Sequence, residues 1–252
     1  MRPRVGPETD NVQKLLIYQS LWAMERRRPD GAEWTLDEKL RMIRDAGFDG
    51  AGVRFFDRDY ARTVTSFLRE HGMTWQAQCY PKTVDDLKPI IEHVREFGAD
   101  HVNLQPDVRL YTLEECIPLL EGWRRISHDA GIPVHVETHR DRMTNDLHFT
   151  LDLIEAVPEL SLTADLSHYV VGREIALPLS VEIEAQMAAI IGRANAWHGR
   201  VASSEQVQIP LDYPASAPWV AQFEGWWREG FAGWRQRAGE AGELSFLCEL
   251  GP

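Results

Sequence analysis

Cysteine is scarce in this 252-residue sequence, and long apolar runs are absent. The three cysteines, Cys79, Cys116 and Cys248, are odd in number and widely spaced, which argues against a disulfide framework and against a paired-cysteine zinc site. No segment is apolar enough to span a bilayer, and residues 1–11 lack the apolar stretch of a signal peptide. These features predict a cytoplasmic protein that does not bind membranes.

Positive charge is also in short supply. The sequence has 27 Lys and Arg residues against 39 Asp and Glu residues, which gives a formal net charge of −12. Proteins that bind nucleic acids depend on Lys and Arg to neutralise phosphates, so this composition argues against a nucleic-acid partner. A small polar substrate suits the charge balance better.

Eight apolar, β-rich segments alternate with amphipathic helical segments along the chain. The predicted strands cover residues 15–23, 50–55, 74–80, 101–104, 133–139, 160–165, 194–201 and 245–249. Strict alternation over this length, without a linker, predicts an α/β fold with a single (β/α)8 TIM barrel domain at residues 1–252. Because Pro252 directly follows the eighth predicted strand, we expect the eighth helix to be missing.

The last predicted helix carries aromatic residues at spacings that put most of them on one face. They are Trp219, Phe223, Trp226, Trp227, Phe231 and Trp234. Packing against the barrel is the first interpretation for most of this stripe. The alternative is that part of it forms a subunit interface, since a contiguous exposed apolar patch is unusual on a monomer. On that basis we expect a homo-oligomer.

Four residues of metal-binding type lie near the ends of the last four predicted strands. They are Glu137, Asp165, His198 and Glu249. In a parallel barrel these strand ends meet at one rim, so the four side chains should converge. Taken singly, Glu249 fits a surface carboxylate and Asp165 fits a turn cap. Together the four residues favour a metal site.

Three convergent carboxylates repel one another unless a cation neutralises them. With one imidazole they form a hard, oxygen-rich donor set, which predicts one divalent metal ion. Mn²⁺ is the first choice, and Mg²⁺, Co²⁺, Fe²⁺ and Zn²⁺ are compatible with the same donors.

Other polar residues near predicted strand ends are candidates to line a pocket. They are Trp22, Gln76, Gln105, Arg109, His139, Arg140 and Arg142. For each alone, packing or a surface salt bridge is an equally good interpretation. His139 is the strongest candidate because it shares its predicted strand face with Glu137. His135, lower on the same strand, fits a core histidine better than a ligand.

The sequence around these residues resembles the xylose-isomerase-like TIM barrel superfamily of sugar isomerases and epimerases. The most specific segments are VETHR at 136–140, ADLSH at 164–168, WHGRV at 197–201 and CEL at 248–250. The resemblance implies that Glu137, Asp165, His198 and Glu249 are the metal ligands. It also implies acid and base roles for Glu137 and Glu249, and a contact of His168 with a substrate oxygen.

We expect further substrate contacts from His139, Arg200, Trp22 and Gln105. Arg200 departs from the tagatose-type epimerases, in which the substrate-binding arginine lies several residues beyond the histidine of the seventh strand, because here only one residue separates it from His198. Glycine-rich sequence typical of a phosphate site is missing after the seventh and eighth strands, so a phosphorylated substrate is not supported.

The resemblance implies a divalent-metal-dependent isomerase or epimerase that acts on a small carbohydrate or keto-polyol through an enediolate. A lysine Schiff base is a poor alternative, because the only lysines, Lys14, Lys39, Lys82 and Lys88, precede the fifth strand. A metal-dependent lyase or dehydratase of the inosose or 3-keto-glycoside type remains an alternative. So does a non-catalytic accessory subunit that keeps the barrel and the metal.

Overall fold

Eight parallel β-strands form a closed barrel, as the sequence predicts. This computed structural model describes residues 12–54 and 57–251. The strands are β1 (Lys14–Ser20), β2 (Gly50–Arg54), β3 (Thr74–Cys79), β4 (His101–Leu104), β5 (Val134–Glu137), β6 (Leu162–Ala164), β7 (Ala194–Gly199) and β8 (Glu243–Cys248). Each strand pairs with the next, and β8 pairs with β1 to close the barrel. The carboxyl ends of all eight strands therefore meet at one rim.

Helices cover the outside of the barrel. Within the described ranges they are α1 (Leu36–Asp45), α2 (Arg58–Glu70), α3 (Leu87–Phe97), α4 (Leu113–Ala130), α5 (Leu147–Ala156), α6 (Ser167–Gly172), α7 (Val181–Ile191) and α8 (Ala217–Arg237). Both α6 and α7 lie between β6 and β7, and the described residues 249–251 after β8 form no helix. None of the helices in these ranges has the length and apolar character needed to cross a bilayer.

Local capping explains where several helices begin and end. The Thr35 hydroxyl accepts a hydrogen bond from the Glu38 N–H at 3.2 Å, and the Glu38 carboxylate accepts one from the Thr35 N–H at 2.7 Å. This reciprocal pair satisfies two backbone donors at the start of α1. Gly98 ends α3 with a φ of 77°, a conformation that residues with a side chain rarely adopt.

Several predicted strands end one to three residues earlier than the sequence pattern indicates, and two of these differences bear on the site. β1 ends at Ser20, because residues 22–24 turn into a short 3-10 helix. β5 ends at Glu137, because the backbone N–H of His139 donates to the Thr144 hydroxyl rather than to a neighbouring strand. The prediction that His139 shares a strand face with Glu137 is therefore wrong. The predictions for residues 1–11 and for Phe55 lie outside the described residues.

Glycines in β2 make room inside the barrel. A Cβ on Gly50 would lie 2.8 Å from the Tyr18 ring, and one on Gly52 would lie 2.6 Å from Leu247. Both distances are too short for a real carbon contact. Tyr18 and Leu247 thus fill interior space that side chains on β2 would otherwise occupy.

The aromatic residues of α8 pack against the barrel. Phe223, Trp226 and Trp234 are buried, and Trp219, Trp227 and Phe231 are partly buried against the same core. Gly230 allows the close approach, because any Cβ at this position would overlap the Trp197 ring of β7. Packing is therefore the confirmed interpretation of the aromatic stripe, while its use as a subunit interface stays a prediction.

Candidate metal centre

The four predicted ligands converge inside the carboxyl-terminal rim of the barrel. Glu137 is the last residue of β5, His198 lies near the end of β7, and Asp165 and Glu249 directly follow β6 and β8. One side-chain ligand atom from each lies within 4.8 Å of the other three. All four residues are between 0 and 2% exposed. The barrel therefore gathers three carboxylates and one imidazole in a space that excludes water.

Close contacts hold this cluster together. His198 Nδ1 lies 2.6 Å from Glu249 Oε2 and 3.5 Å from Glu137 Oε1. The Arg200 guanidinium follows β7 and contacts Asp165 Oδ2 at 3.3 Å and Glu249 Oε2 at 3.1 Å. Arg200 thus offsets part of the negative charge, although three carboxylates still surround a single arginine and a single histidine.

The atoms that point into the cluster lack aligned hydrogen-bond partners among the described residues. They are Glu137 Oε1, Asp165 Oδ2, His198 Nδ1 and Glu249 Oε2. Buried polar atoms are rarely left in this state, because each costs about 1–3 kcal/mol without a partner. A divalent cation would satisfy all four atoms at once, so the residues present fit such an ion.

Electrostatic coupling shifts the titration of these groups. Burial lowers the pKa of His198, but the Glu249 and Glu137 carboxylates outweigh burial and hold this pKa well above its ordinary value of 6.5. Burial raises the pKa of Glu137, but His198 and Asn103 outweigh it and bring this pKa below its ordinary value. The pKa of Asp165 is raised, chiefly because the carboxyl group is buried.

Hydrogen bonds from neighbouring residues orient two of the carboxylates. Asn103 on β4 donates a hydrogen bond to Glu137 Oε2 at 2.5 Å. The Ser167 N–H donates to Asp165 Oδ1 at 3.0 Å. Asn103 was not among the residues predicted for the site, although the strand alternation puts it on the same face of β4 as His101.

Two further histidines lie beside the cluster. The rings of His139 and His168 are 4.0 Å apart between centroids, and both can offer a nitrogen within 4.8 Å of a Glu137 oxygen. His168 is 1% exposed, and neither of its ring nitrogens has a hydrogen-bond partner among the described residues. His139 Nδ1 donates to the Arg140 carbonyl at 2.5 Å, which leaves its Nε2 as an acceptor. The structure thus brings both predicted histidines to the site.

Trp22 also reaches this region of the rim. The Arg54 guanidinium lies 5.1 Å from the Trp22 ring centroid and that of Arg200 lies 5.7 Å from it, within the range of cation–π contacts. Trp22 is therefore linked to the cluster through Arg200. Gln105 is buried just after β4, where its N–H donates to the Cys79 carbonyl at 3.0 Å.

Two other rim candidates are occupied by surface ion pairs. Arg109 binds Asp141 at 2.7 Å and Asp107 at 2.9 Å, and Arg142 approaches Asp107 at 3.6 Å. Arg140 is exposed. His135 is held by a 2.7 Å hydrogen bond to Ser161, as expected for a satisfied core histidine.

The sequence matches no family model and no curated protein. Solved structures with a similar backbone do exist. A xylose isomerase-like TIM barrel protein from Mycobacterium smegmatis in complex with magnesium has a TM-score of 0.63 at 15% identity, with 92% of this chain and 89% of that chain covered. The chain has the xylose isomerase-like TIM barrel fold.

Other proteins with this fold are mostly enzymes. The 3-keto-D-glucoside 4-epimerase from E. coli has a TM-score of 0.60 at 14% identity, with 95% of this chain and 94% of that chain covered. The probable 3-DHS dehydratase from Bacillus anthracis has a TM-score of 0.60 at 13% identity, with 93% of each chain covered. At these identities the likeness extends to the fold alone, so the reaction has to be argued from the site.

Proposed function

We propose that the protein is a divalent-metal-dependent isomerase or epimerase that acts on a small carbohydrate or keto-polyol. The observation that carries this proposal is the set of four buried ligand atoms that lack aligned hydrogen-bond partners among the described residues, two of which belong to glutamates on different strands of the barrel. A carboxylate positioned next to a Lewis acid is the arrangement that proton transfer beside a carbonyl requires.

Glu137, Asp165, His198 and Glu249 would hold the metal ion. Three carboxylates and one imidazole suit Mn²⁺ best, while Mg²⁺, Co²⁺, Fe²⁺ and Zn²⁺ are compatible with the same donors. A magnesium complex is known for a protein with this fold. When bound, the ion polarises the substrate carbonyl and stabilises the negative charge that develops on its oxygen.

Glu137 and Glu249 would move the proton. One carboxylate removes the proton from the carbon next to the carbonyl, which leaves an enediolate. The other, which enters this step protonated, gives its proton to the opposite face of the same carbon for epimerisation. For isomerisation it gives the proton to the neighbouring carbon while a proton passes between the two enediolate oxygens. Glu137 on β5 is held by Asn103, and Glu249 after β8 is held by Arg200, so the two carboxylates approach from different strands. This separation supports their assignment as an acid–base pair.

The remaining polar groups would bind and orient the substrate. The His168 ring nitrogens have no hydrogen-bond partner among the described residues, although Nε2 lies 3.5 Å from Asp165 Oδ2, and they suit a contact with a substrate oxygen. His139, whose Nδ1 faces the Arg140 carbonyl, suits a second contact through Nε2. Trp22, Arg200 and Gln105 are the other proposed substrate contacts. An apolar ring face such as that of Trp22 packs well against the C–H face of a sugar.

A lyase or dehydratase is the second candidate function. It would begin with the same proton removal by a glutamate, but the enediolate would then expel a leaving group from the next carbon. The fold is compatible with this chemistry, since the probable 3-DHS dehydratase from Bacillus anthracis has the same fold. Only the identity of the product separates the two reactions.

The test combines metal analysis with hydrogen exchange. Purified wild type, Glu249→Gln and Glu243→Gln are analysed for divalent metal and then incubated with keto-sugars and inososes in D₂O. Glu243 is the matched control, because it is an exposed carboxylate on the same strand that pairs with Lys14 at 3.4 Å. We expect deuterium next to the carbonyl in wild type and in Glu243→Gln, and none in Glu249→Gln.

The possible outcomes separate the candidate functions. Wild type without bound divalent metal would refute the metal site. Bound metal without exchange on any substrate would favour the accessory-subunit alternative. Exchange with loss of a leaving group would identify a lyase rather than an isomerase.

We further propose that the protein acts in the cytoplasm as a homo-oligomer. The aromatic residues of α8 that are only partly buried against the barrel, such as Trp219 and Trp227, support an interface there. Light scattering after size exclusion tests this proposal, because a mass of about 29 kDa would refute it.

A further inference from the structure

The two nitrogens of the His198 ring face different environments. Nδ1 points at the Glu249 and Glu137 carboxylates, whereas Nε2 points down into the barrel. Among the described residues, Gln76 on β3 supplies the polar partner of Nε2, with its carboxamide nitrogen 3.4 Å away. Gln76 is fully buried, so no solvent replaces this contact.

Gln76 is itself held from below. Its carboxamide oxygen lies 3.1 Å from His101 Nε2, and the Ser245 hydroxyl lies 3.2 Å from the same nitrogen. His101 and Ser245 are 6% and 5% exposed. A buried polar chain therefore runs from Ser245 and His101 through Gln76 to His198, across strands that are far apart in sequence.

This chain has a consequence for the protonation of His198. A cation bound at Nδ1 needs the lone pair there, so the neutral imidazole must carry its proton on Nε2. A buried Nε2–H without an acceptor would cost about 1–3 kcal/mol. The carboxamide oxygen of Gln76 can accept this proton after a half turn of the amide, and the amide N–H₂ group then donates to His101 Nε2.

We propose that Gln76 is a positioning residue that fixes the His198 tautomer and keeps Nδ1 free to bind a cation. His101 assists because its Nε2 accepts a hydrogen bond from the N–H₂ group of the Gln76 amide. The inference rests on the proposed metal site, which it deepens. It concerns the affinity for the metal ion. Gln76 lies beneath the ligand cluster and contacts His198, so it does not touch the reacting atoms.

The experiment measures the affinity of the metal-free protein for Mn²⁺ by titration calorimetry. Gln76→Leu removes the acceptor, and we expect the Kd to rise by about 10- to 100-fold, the usual effect of losing a partner behind a metal ligand. Gln76→Glu restores an acceptor for the His198 Nε2–H, so its Kd should return to within a few-fold of wild type. A purely structural role for Gln76 would not give this rescue.

Gln78→Leu is the matched control. Gln78 is the next inward-facing residue of β3 and is 3% exposed, so the substitution is the same in type and in burial. We expect its Kd for Mn²⁺ to stay close to that of wild type. If Gln76→Leu does not fold, Gln76→Met removes the acceptor with an unbranched side chain of similar length.

Two results would overturn the inference while the proposed function stands. One is a Gln76→Leu protein that binds Mn²⁺ as tightly as wild type. The other is a Gln76→Glu protein, or a Gln78→Leu protein, that binds as weakly as Gln76→Leu. Wild type that binds no Mn²⁺, Mg²⁺, Co²⁺, Fe²⁺ or Zn²⁺ would overturn both the inference and the metal site.

Discussion

His198 Nδ1 lies 2.6 Å from Glu249 Oε2, which puts a titrating imidazole directly against a carboxylate. The carboxylates raise the pKa of His198, so below this raised pKa a proton occupies the nitrogen that a cation needs. Glu137 and Glu249 have lowered pKa values and are already ionised near neutral pH. Metal binding should therefore displace a proton chiefly from His198.

Metal affinity is accordingly predicted to rise with pH. We expect the Mn²⁺ affinity of the protein to increase by roughly tenfold per pH unit from about pH 6 until the pH passes the His198 pKa, and then to level off. Calorimetry in two buffers with different ionisation enthalpies counts the protons released. An affinity that is the same at both ends of this range would contradict the assignment of His198 as a ligand.

Asn103 is predicted to support the chemistry through Glu137. Replacing Asn103 by Leu removes the 2.5 Å hydrogen bond that orients the carboxylate, and we expect the rate of deuterium exchange to fall by about 10- to 100-fold. Asn195→Leu is the control, because that asparagine bonds Ser161 near the opposite mouth of the barrel. Equal losses in the two variants would point to general destabilisation instead.

Replacing two glycines of α8 by alanine, one at a time, is predicted to change the stability of the protein in opposite directions. Gly230→Ala would force a Cβ into the Trp197 ring and should destabilise the protein by about 1–3 kcal/mol. Gly225→Ala meets no atom within 4 Å and should stabilise it by about 0.5–1 kcal/mol through better helix propensity. Urea unfolding measures both changes. Similar midpoints for the two variants would mean that α8 does not pack as described.

The structure also shows which parts of the site could be predicted from the sequence. The convergence of Glu137, Asp165, His198 and Glu249 was predictable because each lies late in an apolar run, and a parallel barrel brings such strand ends together regardless of loop detail. The contacts of Gln76 and Asn103 were not, because the Gln76–His198 contact crosses the barrel and the Asn103–Glu137 contact depends on the register between β4 and β5. His139 reaches the site from the loop after β5 and not from the strand itself. A hydrogen bond from its backbone N–H to the Thr144 hydroxyl holds this loop, and the strand pattern does not predict that bond.

The segment after β8 is predicted to hold Glu249 in place. The Gly251 backbone N–H donates to the Gln208 side-chain oxygen at 2.6 Å, and the Gln208 side-chain nitrogen donates to the Gly251 carbonyl at 3.0 Å. Arg27 donates to the same Gly251 carbonyl. Gln208→Ala should therefore weaken Mn²⁺ binding several-fold and cost about 1 kcal/mol of stability. The exposed neighbour Gln206→Ala serves as the control. Unchanged Mn²⁺ affinity in Gln208→Ala would contradict this role.

The same contacts bear on how the protein should be handled. Gly251 lies against the Trp22 ring so closely that a Cβ on it would overlap the indole, and Glu249 is only two residues away. An affinity tag fused after Pro252 would begin next to this packed backbone, where its bulk would act on the position of Glu249. A tag joined to the amino terminus does not extend the segment that carries Gly251, so metal and activity measurements belong on protein tagged there or with the tag removed.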